Sequence, residues 1–217
     1  MQRIKYLDGL RGIAILLVIS YHAFGGDGYK GTIYYGNKFQ DLLFFKYGYL
    51  GVQLFFLISG FVILMTLEKS KSFIDFMYKR WLRLFPAMLI ATFLIYTTAS
   101  IFYERPAGIP NIHSIIPGLF FINPIILEKI TNIHFPTMEG AFWSLYVEMF
   151  FYIIFGLSYF VIKERNAILL LFCLFVYSII GLFYPLKLSM FFIHFGWFTA
   201  GCLSYLYLIK NKILSKF

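Results

Sequence analysis

Charged side chains are what this chain has least of. Only 13% of its 217 residues are Asp, Glu, Lys or Arg, and the acidic ones number 10. A soluble domain of this length does not look like that. Cysteine is nearly absent, and Cys173 and Cys202 each lie inside an apolar run, so they read as two buried thiols. A disulfide framework and a Cys-based metal motif are both excluded. The chain also lacks an internal repeat, a low-complexity linker and any stretch that reads as a soluble domain. Its formal charge of +9 is no nucleic-acid footprint, because the basic residues sit between apolar spans. They read as topology determinants and anchors for lipid headgroups.

What is present is apolar surface: 60% of residues are hydrophobic, 22% are aromatic, and the mean hydropathy is +0.77. The fold class expected is an all-α, polytopic membrane helical bundle. At roughly 20 residues per crossing the length allows six or seven helices. Apolar runs suggest spans at 8–25, 49–67, 84–103, 141–162, 167–184 and 189–209. The first, with basic residues ahead of it and Ala23-Phe24-Gly25 behind, loosely mimics a signal peptide. Asp8 and Arg11 interrupt its start, which favours an uncleaved first span. The longest connection, 104–140, holds five of the seven prolines, Pro106, Pro110, Pro117, Pro124 and Pro136. Its apolar piece 115–127 is short and twice interrupted by proline, and reads as a re-entrant or interfacial segment rather than a span. Basic residues agree with that reading. With 115–127 re-entrant, 13 of the 19 Lys and Arg fall on the side of the loop 68–83 and 6 on the other. With 115–127 spanning, the split is 10 to 9. The basic side, amino terminus included, is therefore expected to be cytoplasmic.

Ionisable groups inside the spans are few: Arg11, His22, Glu148 and His194. Such groups are expensive in lipid and are functional candidates by default. Arg11 and His22 are eleven residues apart, so on a helix they share a face, about 20° and about 16 Å apart. Lipid would not tolerate that stripe, whereas a polar passage would. Arg11 is also within reach of Asp8, one turn back. Glu148 is expected at a depth similar to His22. Such a His–Glu pair can orient an imidazole for proton abstraction from a hydroxyl; equally, it can be a hydrogen-bonded lock between two helices. Arg80 and Arg83, three apart, suit phosphate as a two-pronged guanidinium site, or anchor the helix at the interface beside Trp81. Gly51, Ser59 and Gly60 point to close helix packing. His194 reads as an interior histidine. His113 and His134 lie in the outer connection, in contact with an acceptor or simply solvated.

Four stretches, YLDGLRGIAILLVISYH, GVQLFFLISGF, KRWLRLFP and FWSLYVEMFFY, occur in an order that resembles the acyltransferase 3 family of integral-membrane acyltransferases. The resemblance runs from residue 6 to about residue 155, and the Arg-x10-His signature is matched by Arg11 and His22. It implies transfer of an acyl group, often acetyl from acetyl-CoA, onto a hydroxyl of a carbohydrate-containing or glycolipid acceptor at the cell envelope. Carried over residue by residue, it implies His22 as the catalytic histidine with Arg11 as its partner. Arg80 and Arg83 match the basic motif suspected of holding the donor. Glu148 matches the acidic residue of the Trp-Ser-Leu motif, with Trp143 and Ser144 beside it on the substrate side. The implied layout sets the CoA phosphates against Arg80 and Arg83 and the pantetheine arm along Arg11, with the thioester near His22. No metal and no permanently bound cofactor is implied; acyl-CoA is a co-substrate, and the partners are the lipid bilayer and the acceptor, not nucleic acid. The location implied is a bacterial inner membrane. Residues 1–217 are expected to form one domain, incomplete at its C-terminus, because family members are longer.

Three other readings stay open on sequence alone. Intramembrane His, Arg and Glu also suit a proton or substrate transporter. His22 and His194 are the pair a membrane haem protein would use. A non-catalytic fragment or partner subunit would fit the short chain.

Overall fold

The computed structural model describes residues 5–25, 37–39, 41–102, 108–184 and 192–210, and among these every regular element is helical. Helix α1, Lys5–Ser20, continues into a π-helical turn, Tyr21–Gly25. The short α2, Leu43–Lys46, leads into α3, Leu50–Leu67. Helix α4 covers Phe73–Thr98, with Pro86 inside it. Two short helices follow, α5 at Ile115–Phe120 and α6 at Pro124–Thr131. Helix α7 covers Trp143–Phe183, and α8, Phe195–Tyr205, ends in a second π-helical turn, Leu206–Lys210.

Among the described residues, four helical segments are long and apolar enough to cross a membrane: Tyr6–Gly25, Leu50–Leu67, Phe73–Thr98 and Gly140–Phe183. The number becomes five if the bent pair Ile112–Phe120 and Pro124–Thr131 counts as one broken span. The protein is thus a multi-pass membrane protein, as expected, but by length and composition the count stops short of six. Two features account for the difference. The spans expected at 141–162 and 167–184 form one element, α7, broken at Lys163, whose φ of 68° and ψ of 164° are non-helical. An unbroken helix of that length would measure about 60 Å, twice the hydrocarbon thickness of about 30 Å. And α8 has only 11 residues.

The bent pair has a local cause. Phe121 takes φ 56°, which ends α5, and the Asn123 side chain caps α6 by accepting from the Ile125 N–H at 2.9 Å. Pro124 follows in the first turn, where its missing N–H costs nothing. The two axes meet at 111°.

The chain divides into two compact units, one of Met1–Lys69 with Ser158–Phe217, the other of Ser70–Leu157. In the first, α8 runs alongside α3 in the same direction: Phe56 stacks on Phe198 at 4.7 Å, and Phe61 meets Tyr205 at 5.2 Å. The pairing depends on glycine. A Cβ on Gly60 would lie 2.0 Å from the Phe198 carbonyl oxygen, and one on Gly201 would lie 2.0 Å from that of Leu57. Cys202, at the same crossing, donates from Sγ to the Gly60 carbonyl at 3.3 Å. Gly51 packs in the same way against Ala14 and Val18 of α1, so the small residues of that stretch do serve close approach. Cys202 is buried as expected, but Cys173 is exposed. Its helix presents an apolar face outward, as a helix in lipid can.

In the second unit, α5 packs on α4, and Gly118 lies against Met88, Thr92 and Phe142. Phe76, wholly buried, sits between α4 and the start of α7.

Candidate functional site

Helix α4 begins with a cap that sets its phase. Ser72 Oγ accepts from the Asp75 N–H at 3.2 Å, and the Asp75 carboxylate takes the Lys71 N–H and the Lys79 ammonium, at 2.9 and 2.7 Å. An acidic first turn complements the positive end of the helix dipole. One turn further, Arg80 points inward and is 2% exposed. Its guanidinium carbon stands 5.7 Å from the centre of the Phe76 ring and 5.4 Å from that of Tyr152. The two rings meet edge to face at 6.1 Å. Stacking on aromatic faces suits a planar, delocalised cation and is worth more when desolvated.

Tyr152 belongs to α7, one turn after Glu148, and is 1% exposed. Its hydroxyl donates to Glu148 Oε1 at 2.6 Å, the length of a charge-assisted bond. Two of the residues singled out from the sequence, Arg80 and Glu148, are thus brought together by a third that was not. The spacing of Glu148 and Tyr152 was the available signal, since residues four apart share a helix face. Arg83 differs from Arg80 and is exposed. Trp143 opens α7 and is 43% exposed, and Ser144 donates to the Ala141 carbonyl at 3.2 Å.

The remaining candidates lie in the first unit. Arg11 pairs with Asp8 at 3.1 Å, the local ion pair their spacing allowed. His22 is exposed and sits in the π-helical turn that follows α1, a geometry frequent at functional sites. Its ring meets Tyr21 edge to face at 5.4 Å, and Tyr21 meets Tyr49 at 5.6 Å. His194 lies at the start of α8 with its ring 5.1 Å from that of Phe56. In the connection, His113 packs near Phe135, and His134 Nδ1 contacts Glu128 at 3.1 Å. Among the described residues, no three His, Cys, Asp or Glu side chains are grouped to hold a metal ion.

A second polar cluster was not expected from the sequence. Lys210 Nζ donates to both oxygens of Glu164, at 2.6 and 2.7 Å, and contacts Glu68 at 3.1 Å. The Tyr205 hydroxyl donates to the other oxygen of Glu68. Partial burial opposes the Lys210 charge, but the hydrogen bonds to Glu164 and Glu68 prevail and hold its ammonium above the ordinary lysine range. The cluster ties together three chain positions: the end of α3, the break in α7 and the turn after α8.

Helices that cross a membrane, carrying a buried Arg80 and Tyr152 joined to the half-buried Glu148 in one unit and Arg11 with His22 in the other, define a membrane protein with polar chemistry inside its spans. The sequence model of the acyltransferase 3 family, described as an acyltransferase domain, matches residues 4–215, and the chain belongs to that family. It is 27% identical over 186 residues to an O-acetyl transferase of Shigella phage Sf6, a match covering 83% of this chain and 54% of the relative. It is 32% identical over 165 residues to nodulation protein 10 of Rhizobium leguminosarum bv. viciae, covering 67% of this chain and 41% of that one. The chain therefore spans about half the length of these relatives. No solved structure matches it significantly.

Proposed function

We propose that the chain is an O-acyltransferase module that moves an acetyl group from acetyl-CoA to a hydroxyl of a carbohydrate-containing acceptor. The observation that carries the reading is the family match, which runs through both polar constellations. The name of the phage relative supports acetyl as the group and oxygen as the acceptor atom. His22 is the general base. Its ring nitrogen takes the acceptor proton while the hydroxyl oxygen attacks the thioester carbonyl, the C–S bond breaks, and the departing CoA thiolate takes the proton back. Arg11 lies along the donor path, Glu148 orients the base or the acceptor, Trp143 and Ser144 flank the acceptor, and the phosphates of CoA dock on the basic turn of α4 that carries Arg80 and Arg83. Positioned acid–base groups of this kind contribute about 10²–10⁴-fold.

We read residues 1–217 as one domain crossing a bacterial inner membrane six times, with the amino terminus cytoplasmic. The Glu68–Lys210–Glu164 cluster supports this count. With Glu68 and Glu164 read on one membrane face, the chain between them crosses an even number of times. Helix α4 leads away from that face, and residues 143–162 return to it. A crossing by the bent pair would break that parity, which supports reading the pair as re-entrant. The same face carries 13 of the 19 basic residues, as a cytoplasmic face should.

The test is acetyl-CoA turnover by the purified full chain in lipid, with free thiol followed against a panel of sugar acceptors and a His22→Ala control. Thiol release that requires both an acceptor and His22 is the expected result. Release undiminished in the His22→Ala variant would sink the assignment of the base.

A further inference from the structure

Arg80 and Arg83 lie three residues apart on α4 but in different surroundings. Arg83 is exposed, whereas Arg80 is 2% exposed and stacked between two rings. Phosphates arriving from water meet Arg83 directly. To reach Arg80 they would have to move Phe76 or Tyr152, which are 0% and 1% exposed. Phe76 has little freedom to move: it packs so closely on α7 that a Cβ on Gly156 would come within 2.8 Å of its ring. The open side of the Arg80 environment is instead its polar neighbour within the unit. Tyr152 turns its ring face to the guanidinium and its hydroxyl to Glu148 Oε1, at 2.6 Å. A cation held away from water is stable only with an opposite charge or acceptors at hand. Through Tyr152 the guanidinium is linked to an acid, Glu148.

We propose that Arg80 and Tyr152 are positioning residues for Glu148, Arg80 as its internal counter-charge and Tyr152 as the donor that fixes its carboxylate, and that the phosphates of the acyl donor are met by Arg83 without Arg80. The proposal rests on the acyltransferase reading and deepens it by dividing the basic turn of α4 into two roles. Two contacts within one compact unit carry it: guanidinium on ring and hydroxyl on carboxylate. Lys79 is no substitute for Arg83 as the open cation of this turn, because its ammonium is engaged by Asp75 at 2.7 Å.

The experiment compares Arg83→Ala, Arg80→Met and Tyr152→Phe in the full chain reconstituted in lipid discs. Two readings are taken, binding of CoA itself and the kinetics of transfer. Loss of a charge-assisted contact in Arg83→Ala should weaken CoA binding about tenfold or more. Arg80→Met and Tyr152→Phe should leave CoA binding within about twofold and donor KM unchanged, while kcat falls at least about tenfold. Tyr152→Phe is the variant that keeps the fold, because the ring over Arg80 remains and only the hydroxyl is lost. In a Glu148→Gln background Tyr152→Phe should cause no further loss of kcat, since it acts through that carboxylate. CoA binding weakened equally by Arg80→Met and Arg83→Ala would overturn the division of roles. A full additional loss from Tyr152→Phe in the Glu148→Gln background would overturn the positioning role. Should the wild-type chain neither bind CoA nor transfer, the acyltransferase reading fails by itself. The Arg80–Tyr152–Glu148 unit is then judged by thermal unfolding: coupled effects of Tyr152→Phe and Glu148→Gln support it, and additive ones refute it.

Discussion

The two units treat charge in opposite ways. In the first, the ion pairs among the described residues keep to the ends of helices. Arg11 pairs with Asp8 near the start of α1, and Lys210 with Glu68 and Glu164 where α3, the break in α7 and the turn after α8 meet. Among the described residues no Asp, Glu, Lys or Arg is buried in that unit, and glycines let α3 and α8 touch backbone to backbone. The second unit brings a guanidinium inside and gives it two aromatic faces and a carboxylate-bound phenol. Helices in lipid associate through close packing, because lipid tails offer no hydrophobic driving force between them. They need no buried charge for cohesion. A buried arginine with its own polar and aromatic shell is therefore a mark of function more than of stability.

That contrast can be broken at both ends. The largest effect is expected at the glycine crossing. Gly60→Leu places a side chain where the Phe198 carbonyl oxygen stands 2.0 Å from a Cβ, and neither backbone can yield by a rotamer change. The cost should be about 3 kcal/mol or more, read as loss of the monodisperse peak and a lowered Tm in detergent. A Gly60→Leu protein with unchanged Tm would refute backbone-close pairing as the cohesion of the first unit.

Arg80→Met should follow, at about 2–3 kcal/mol, because the stem packing is kept while Glu148 loses its counter-charge. The measurement is again thermal unfolding in lipid. A gain in stability would show the cavity around Phe76 and Tyr152 to favour an apolar side chain. The functional reading of Arg80 would then be stronger still, since the residue would be retained against stability.

The smallest effect belongs to Lys210→Met. Its side chain is 43% exposed, so solvent screens the two carboxylate contacts, and about 0.5–1 kcal/mol is expected. Cross-linking sharpens the comparison beyond stability. Cysteines placed at Glu68 and Glu164 should be joined by a short bifunctional thiol reagent, because Lys210 contacts both carboxylates. Failure to cross-link would remove the support for six crossings.

Much of the fold was legible because membrane helices announce themselves locally. The break in α7 at Lys163 falls beside the charged run Lys163-Glu164-Arg165, which the sequence marks as the gap between two apolar runs. The bend between α5 and α6 falls between the two prolines that made 115–127 a poor span. The direction of side chains was less legible. Cys173 and Cys202 sit in equally apolar runs, yet one faces outward and the other donates to Gly60. A helix that is apolar all round gives no moment from which to tell its inner face. For the site, the four-residue spacing of Glu148 and Tyr152 was visible, but its meaning depends on Arg80, which arrives from another helix. The Lys210 cluster escaped for the same reason, since each of its charges looks like an ordinary helix-end residue.

Sequence alone determined the solvent this chain folds in, where its long apolar runs are interrupted, and the small set of ionisable residues inside them. Each follows from local composition, because every backbone group in lipid must find its partner within its own helix. Tertiary structure alone decided that Arg80 is buried and Arg83 is not, that Tyr152 joins Arg80 to Glu148, and that α3 and α8 meet at Gly60 and Gly201. These are contacts between helices distant along the chain, set by the fit of side chains across a helix pair, and no local pattern encodes that fit.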